Sequence, residues 1–329
     1  MGFLSRASDL IVGHLRETRE HPIVRRLLSA GHWVLLALIV ALLLYRLSQI
    51  GWSDVFTSIP ASPWFFVFFF LRYFTLPLSE SAIYEIIWER PLAGSFPAFV
   101  RKRVYNNAVA GYSGEGFLAL WARRALGLSG KAAVIAIKDN NILSSLAANI
   151  STIVIIAALA LTGGLSQAIS AMPGSAALVA FATIVAAAMA LIVIFFGKHL
   201  VAMKRNKVWR VLSIHAVRQV ATLVLFAAMY AAALPGVSLN AILLFIGLQL
   251  VISRVPFLPN QDLVYLTAAL SIHSIIGAPA EVVAGMLVAE AGLSQLLSVA
   301  LFFATAHLAR RAGAPNPLKA ADVAQVEAP

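Results

Sequence analysis

Apolar runs of membrane-spanning length recur along this chain, separated by short polar or basic breaks. A helix needs about 20 predominantly apolar residues to cross a bilayer. Residues 32–50, 63–88, 142–161, 174–196, 211–233 and 280–308 meet that requirement and are read as spans. Two further regions are apolar but awkward. Residues 104–121 give about eighteen residues, a marginal length, and 239–276 splits into two short runs around a Pro-flanked break at 253–262. The pattern predicts an all-α polytopic membrane protein of six to eight transmembrane helices, with re-entrant or broken helices near 104–121 and 239–276. The long Ala, Leu, Ile and Val runs do not alternate with polar residues as the strands of a membrane barrel would.

Residues 101–124, RKRVYNNAVAGYSGEGFLALWARR, stand apart from the other runs. Arg101, Lys102 and Arg103 open the stretch, and Arg123 and Arg124 close it. Basic residues at both flanks favour the cytoplasmic side of a membrane, so the simplest path enters, turns near residues 111–116 and returns. Irregular backbone at membrane depth survives only inside protein or beside a water-filled cavity, and the stretch is therefore expected to line one.

Composition supports the membrane assignment. Of 329 residues 60% are hydrophobic and only 12% charged, about half the charged fraction of a soluble domain, and the mean hydropathy is +0.87. The net charge of +11 sits in clusters next to the spans, which the positive-inside rule explains without nucleic acid. No nucleic-acid partner is expected; anionic lipid headgroups would gain roughly 1 kcal/mol per basic side chain. Residues 1–30 form a cytoplasmic amphipathic or tail segment, 31–309 one transmembrane domain, and 310–329 a cytoplasmic tail. With the N-terminus inside and the loops near 55, 167 and 236 outside, every dense basic cluster falls on one side and the C-terminus is also inside. The expected location is a bacterial-type cytoplasmic (inner) membrane. No cleavable signal precedes the first span.

The chain contains no cysteine, so thiolate chemistry and Cys-ligated metals are excluded. Its histidines are scattered and form no HExxH pair. Ser113 lies between glycines but does not fit the GxSxG spacing of a nucleophile elbow. There is no phosphate-binding Gly loop and no soluble domain for a nucleotide. We expect neither a catalytic site, nor a cofactor, nor a metal.

Ionisable residues inside spans mark function or internal pairing, because each costs a few kcal/mol there unless paired or hydrated. No Asp or Glu occurs between Asp139 and Asp262, an interval of more than a hundred residues that contains Arg218 and Arg254. Buried there, these arginines need an acid from elsewhere or an anionic ligand. Glu80, Glu115 and Asp139 are the natural acids to cross the bundle, with Asp262 and Glu290 as nearer choices. A polar cavity lined by Arg103, Asn107, Glu115, Arg218, Arg254 and Asp262 follows, with Arg72, Glu80, Asp139 and Glu290 as secondary members. The plainer readings stand beside it: Glu115 pairing Arg101 or Arg103, Arg218 snorkelling, Asp139 capping the helix after it, and His215 and His273 packing. Trp64, Trp88 and Trp209 are read as interface anchors.

The run GYSGEGFLALWARRALGLSGKAAVIAIKDNNILSSLA resembles a motif of the flippase-like membrane proteins related to the transmembrane part of lysylphosphatidylglycerol synthases. The likeness rests on Gly114 and Glu115, Arg123 or Arg124, Leu126–Leu128 and Lys138–Asn140, and on the late break VPFLPNQDLVYLTAAL. The late break departs from the family in carrying Asn260, Gln261 and Asp262 where a Gly-rich, Glu-containing run is usual. The resemblance implies a flippase or transporter that moves a lipid or lipid-linked substrate, anionic or zwitterionic, between leaflets. Two alternatives remain: a membrane enzyme acting on a lipid headgroup or isoprenoid, and a non-catalytic accessory subunit of an envelope-lipid pathway. The sequence leaves the oligomeric state open.

Overall fold

The computed structural model describes residues 51–92, 94–108, 112–171, 174–255 and 261–311, with four isolated positions (41, 44, 45 and 48) before them. The expected surface segment 1–30, most of the span 32–50 and the tail beyond 311 lie outside the described residues. The described residues form helices and their connecting turns, with no strand.

The elements are α1 (Trp52–Thr57), α2 (Pro63–Trp88), α3 (Phe96–Ala108), α4 (Ser113–Leu126), α5 (Gly130–Leu161), α6 (Gly164–Ala171), α7 (Ser175–Leu200), α8 (Arg205–Ala233), α9 (Leu239–Ile252), α10 (Gln261–Ser271), α11 (His273–Ile276) and α12 (Ala280–Arg311). Among the described residues, five helices are long and apolar enough to cross a membrane: α2, α5, α7, α8 and residues 280–305 of α12. The helices α3 and α4 have 13 and 14 residues, about 20 Å each at 1.5 Å per residue. That is too short for a hydrocarbon core of about 30 Å. They pack on each other, so the stretch 101–124 is a helix–break–helix hairpin, as its two basic flanks imply.

Gly114 and Gly116 lie inside the second helix and not in the turn. Ser113 already begins α4, and Tyr112 before it takes the left-handed conformation at φ 67°, which a bulky side chain adopts at a cost. Gly114 is needed for contact, not for turning. A Cβ there would lie 2.1 Å from the Lys102 carbonyl oxygen, so only glycine lets α4 approach α3 this closely. Ser113 Oγ donates to the Tyr105 carbonyl at 2.8 Å, and the Gly114 N–H donates to Asn106 Oδ1 at 2.7 Å. These bonds close the hairpin.

The element order long helix, short hairpin, long helix occurs twice: α2, α3–α4, α5 and then α8, α9–α10, α12. Packing repeats with it, since α3 lies on α12 as α9 lies on α5, and α4 lies on α5 as α10 lies on α12. The first helices of the two units meet each other and run antiparallel. Arg72 lies over Phe226, Thr75 faces Thr222, and the Lys207 ammonium reaches the Ile87 carbonyl. The fold is therefore an inverted repeat. Even the polar ties between helices correspond, because Arg72 and His215 lie about three turns into α2 and α8. Arg72 pairs with Glu290 about three turns into α12, and His215 bonds Asn140, at 3.1 Å, about three turns into α5.

Two local expectations fail. Asp139 does not introduce a helix at 142. α5 starts at Gly130, where Ser129 Oγ accepts the Ala132 N–H as N-cap, and the polar run at 138–141 lies inside the helix. Trp88 is not an anchor in the interface: its ring packs against Tyr84 and Trp121 in a buried cluster. Trp64 and Trp209, each 60% exposed, stand where such anchors are expected. The main core is the apolar seam between the units, from Phe65 and Tyr73 through Phe226, Tyr230 and Phe245 to Met286. α7 is mostly exposed and apolar.

Candidate functional site

Between the two units lies a cavity of about 360 Å³. Its wall draws on both halves: Arg72, Thr75 and Leu76 from α2, Arg103 and Asn107 from α3, and Arg218, Gln219 and Thr222 from α8. Gln249, Leu250 and Ser253 come from the end of α9, Tyr265 and Leu266 from α10, and Leu287, Glu290, Ala291 and Ser294 from α12. Both hairpins contribute residues near their breaks. Among the described lining residues three arginines stand against one glutamate, a net positive charge.

The three guanidiniums are held differently. Arg72 ion-pairs Glu290 and lies with Cζ 4.8 Å from the centre of the Phe226 ring. Glu290 is fixed from its other oxygen, since Tyr230 Oη donates to Oε2 at 2.7 Å and is itself 2.9 Å from Tyr265 Oη. Arg103 rests over the Tyr73 ring at 4.2 Å, with its Nε buried and without a hydrogen-bond partner. Arg218 donates from Nη2 to Ser144 Oγ at 3.0 Å, and its Nε is also buried and unpartnered. Neither Arg103 nor Arg218 has a carboxylate partner among the described residues. Guanidiniums without a carboxylate, facing a polar space, are suited to bidentate bonding with an anion.

Lys102, one residue before Arg103, behaves in the opposite way. Its ammonium is buried and bridges two carboxylates, bonding Glu80 Oε1 and lying 3.2 Å from Glu115 Oε1. Consecutive residues of a helix point about 100° apart, so α3 turns Arg103 to the cavity and Lys102 toward α2 and α4. Arg101 goes elsewhere again, among the rings of Tyr105, Phe117 and Phe302, where it donates to Tyr105 Oη and Thr305 Oγ1.

Five of the residues singled out from the sequence meet at the cavity wall: Arg103, Asn107 and Arg218, together with the paired Arg72 and Glu290. Others lie outside it. Glu115 and Glu80 belong to the Lys102 cluster, so Glu115 pairs with neither Arg101 nor Arg103, and neither acid forms an ion pair with Arg218 or Arg254. Arg254 is not part of the wall and donates to Asn149 Oδ1 of α5 at 2.8 Å. Asp139 accepts the Ala202 and Met203 N–H groups at 2.9 and 3.0 Å, fastening the connection after α7 onto α5. The Asp262 side chain lies outside the described residues. In sequence Lys102 looks like one charge of a flanking cluster, and nothing there marks its burial. Nothing in the sequence singles out Tyr230 and Tyr265 beyond their being phenols in apolar helices, where a buried hydroxyl needs a partner.

Fold and cavity define an α-helical polytopic membrane protein built as an inverted repeat around a polar, positively charged chamber. Compared with protein-family models, with curated proteins and with solved structures, the chain matches none.

Proposed function

We propose that this protein is a transporter that moves a lipid or lipid-linked substrate between leaflets, its headgroup passing through the cavity while the acyl chains stay in the bilayer. The observation that carries this reading is the cavity wall, where Arg103 and Arg218, each with a buried and unpartnered Nε, line a space of about 360 Å³. Structural ion pairs alone would give a dry, closed core. An inverted repeat with broken hairpins at the centre is also the recurrent design of secondary transporters. The likeness of residues 111–147 to the flippase-like family points the same way.

The proposed setting is a bacterial-type cytoplasmic membrane with both termini cytoplasmic. The contact of Lys207 with Glu89 and of Arg90 with the Leu126 carbonyl brings the ends of α2 and α4 and the start of α8 to one end of the bundle. Basic residues at 123–124, 198 and 204–210 flank those same helix ends in sequence, and the positive-inside rule makes that end the cytoplasmic one.

The test is site-directed labelling in this cysteine-free chain. Asn107→Cys should react with a water-soluble thiol reagent in membranes, and a phosphoryl-bearing lipid should slow the reaction. Protection of the thiol at position 107 without lipid, with Arg123→Cys labelled, would remove the hydrated cavity and the proposal with it.

A further inference from the structure

Glu290 supplies the one carboxylate among the described residues lining the cavity, whose other charges are all guanidiniums. Its two oxygens do different things. Oε1 covers Arg72, and Oε2 is anchored by Tyr230, which is bonded in turn to Tyr265. The two tyrosines are buried, and Tyr230 holds the carboxylate while Tyr265 holds Tyr230. A carboxylate and a phosphoryl group offer a guanidinium the same kind of acceptor edge. Glu290 therefore occupies, from inside the protein, a position that an anionic headgroup would otherwise take on Arg72.

We infer that Glu290 is an internal counter-anion. In the empty cavity it neutralises Arg72; a phosphoryl group entering between Arg72, Arg103 and Arg218 displaces it, and Tyr230 and Tyr265 keep the carboxylate in place beside the ligand. Arg72 can turn without leaving its seat, because its cationic plane stays over the Phe226 ring. The consequence for transport is release. A site of three unopposed arginines would hold a phosphoryl group too well, and conduction requires binding weak enough to leave. Glu290 competes with the ligand at every encounter and so sets its affinity. A purely structural Arg72–Glu290 pair would do none of this.

This inference rests on the proposed transport of a phosphoryl-bearing lipid, and the experiment separates the two. The purified full-length protein in non-ionic detergent is titrated with a short-chain phosphatidylglycerol, with the diacylglycerol of the same chains, and with inorganic phosphate. The native protein should bind the phosphatidylglycerol and not the diacylglycerol. Inorganic phosphate binding as tightly as the lipid would mark a soluble anion as the ligand and overturn the lipid reading. Glu290→Gln should bind phosphatidylglycerol on the order of tenfold more tightly, because a like charge has been removed from the site. Arg72→Gln should bind about tenfold more weakly, and Arg72→Gln/Glu290→Gln should return to near the native affinity. Glu290→Gln affinity equal to or below native, in protein that stays monodisperse, overturns the counter-anion role and leaves the transport reading standing. Should Glu290→Gln alone fail to fold, Arg72→Gln decides: affinity unchanged from native overturns the inference. No binding of either lipid by the native protein overturns both.

Discussion

Lys102 and Arg103 are adjacent on one short helix, and their surroundings are opposites. Lys102 is closed in by Glu80 and Glu115, two acids for one ammonium, in a site with little solvent access. Arg103 faces the cavity that Arg218 also lines, and neither forms an ion pair with an acid among the described residues. Both environments are expensive for a charge in a membrane, yet only the first is settled within the protein. A charge matched by its own chain holds helices together; a charge left unmatched at a polar cavity is available to a ligand. Net charge in the region does not separate these roles. The direction in which α3 turns each side chain does.

The comparison breaks first at Lys102. Lys102→Met leaves two carboxylates buried without their cation and should cost about 3–5 kcal/mol of stability, read as loss of folded protein on heating in detergent. Adding Glu80→Gln and Glu115→Gln should recover most of that loss. A stable Lys102→Met that transports no lipid would move the cluster into the site and erase the distinction. Asp139→Ala removes the acceptor of two backbone N–H groups on the loop at 202–203 and should cost about 2 kcal/mol, with translocation per folded molecule unchanged. Arg103→Gln and Arg218→Gln should sharpen the comparison from the other side. Each keeps its melting temperature within a few degrees, since no carboxylate is orphaned, and lowers translocation about tenfold. The smallest effect is expected at Glu89. Lys207 beside it holds its carboxyl below the usual carboxylate range, but the group is fully exposed. The depressed value means that its contribution is present above the ordinary carboxylate pKa and is lost as pH falls through the lowered one. Because exposed pairs contribute little, Glu89→Gln should leave the melting temperature unchanged at neutral pH.

The membrane class and the position of both irregular regions were legible in the sequence, because span length and Pro or basic breaks are local signals. For residues 101–124 the two cytoplasmic-type ends made a path that turns back the simplest one, while their marginal length left a full span open. The inverted repeat could not be read, since it lies in the order and length of helices and not in residue identity. Arg72–Glu290 and His215–Asn140 occupy matching places with unlike chemistry. The site was partly legible for the same reason. Arg218 stood out because no acid lies near it in sequence, and that imbalance persists in three dimensions. Which acid would answer which base was not legible: Glu115 lies twelve residues after Arg103 and thirteen after Lys102, and only the close approach at Gly114 selects the lysine. Asp139 misled because a short polar run looks alike at a helix start and inside a helix of 32 residues.

Translocation itself tests the central claim most directly. The protein is reconstituted into liposomes containing a trace of headgroup-accessible fluorescent phosphatidylglycerol, and a membrane-impermeant quencher is added outside. The native protein is expected to make inner-leaflet lipid accessible far faster than protein-free liposomes do. The doubly substituted Arg103→Gln/Arg218→Gln protein, equally folded, should fall back toward the protein-free rate. Equal rates for the native and doubly substituted proteins would show that the unmatched arginines of the cavity do not carry the headgroup.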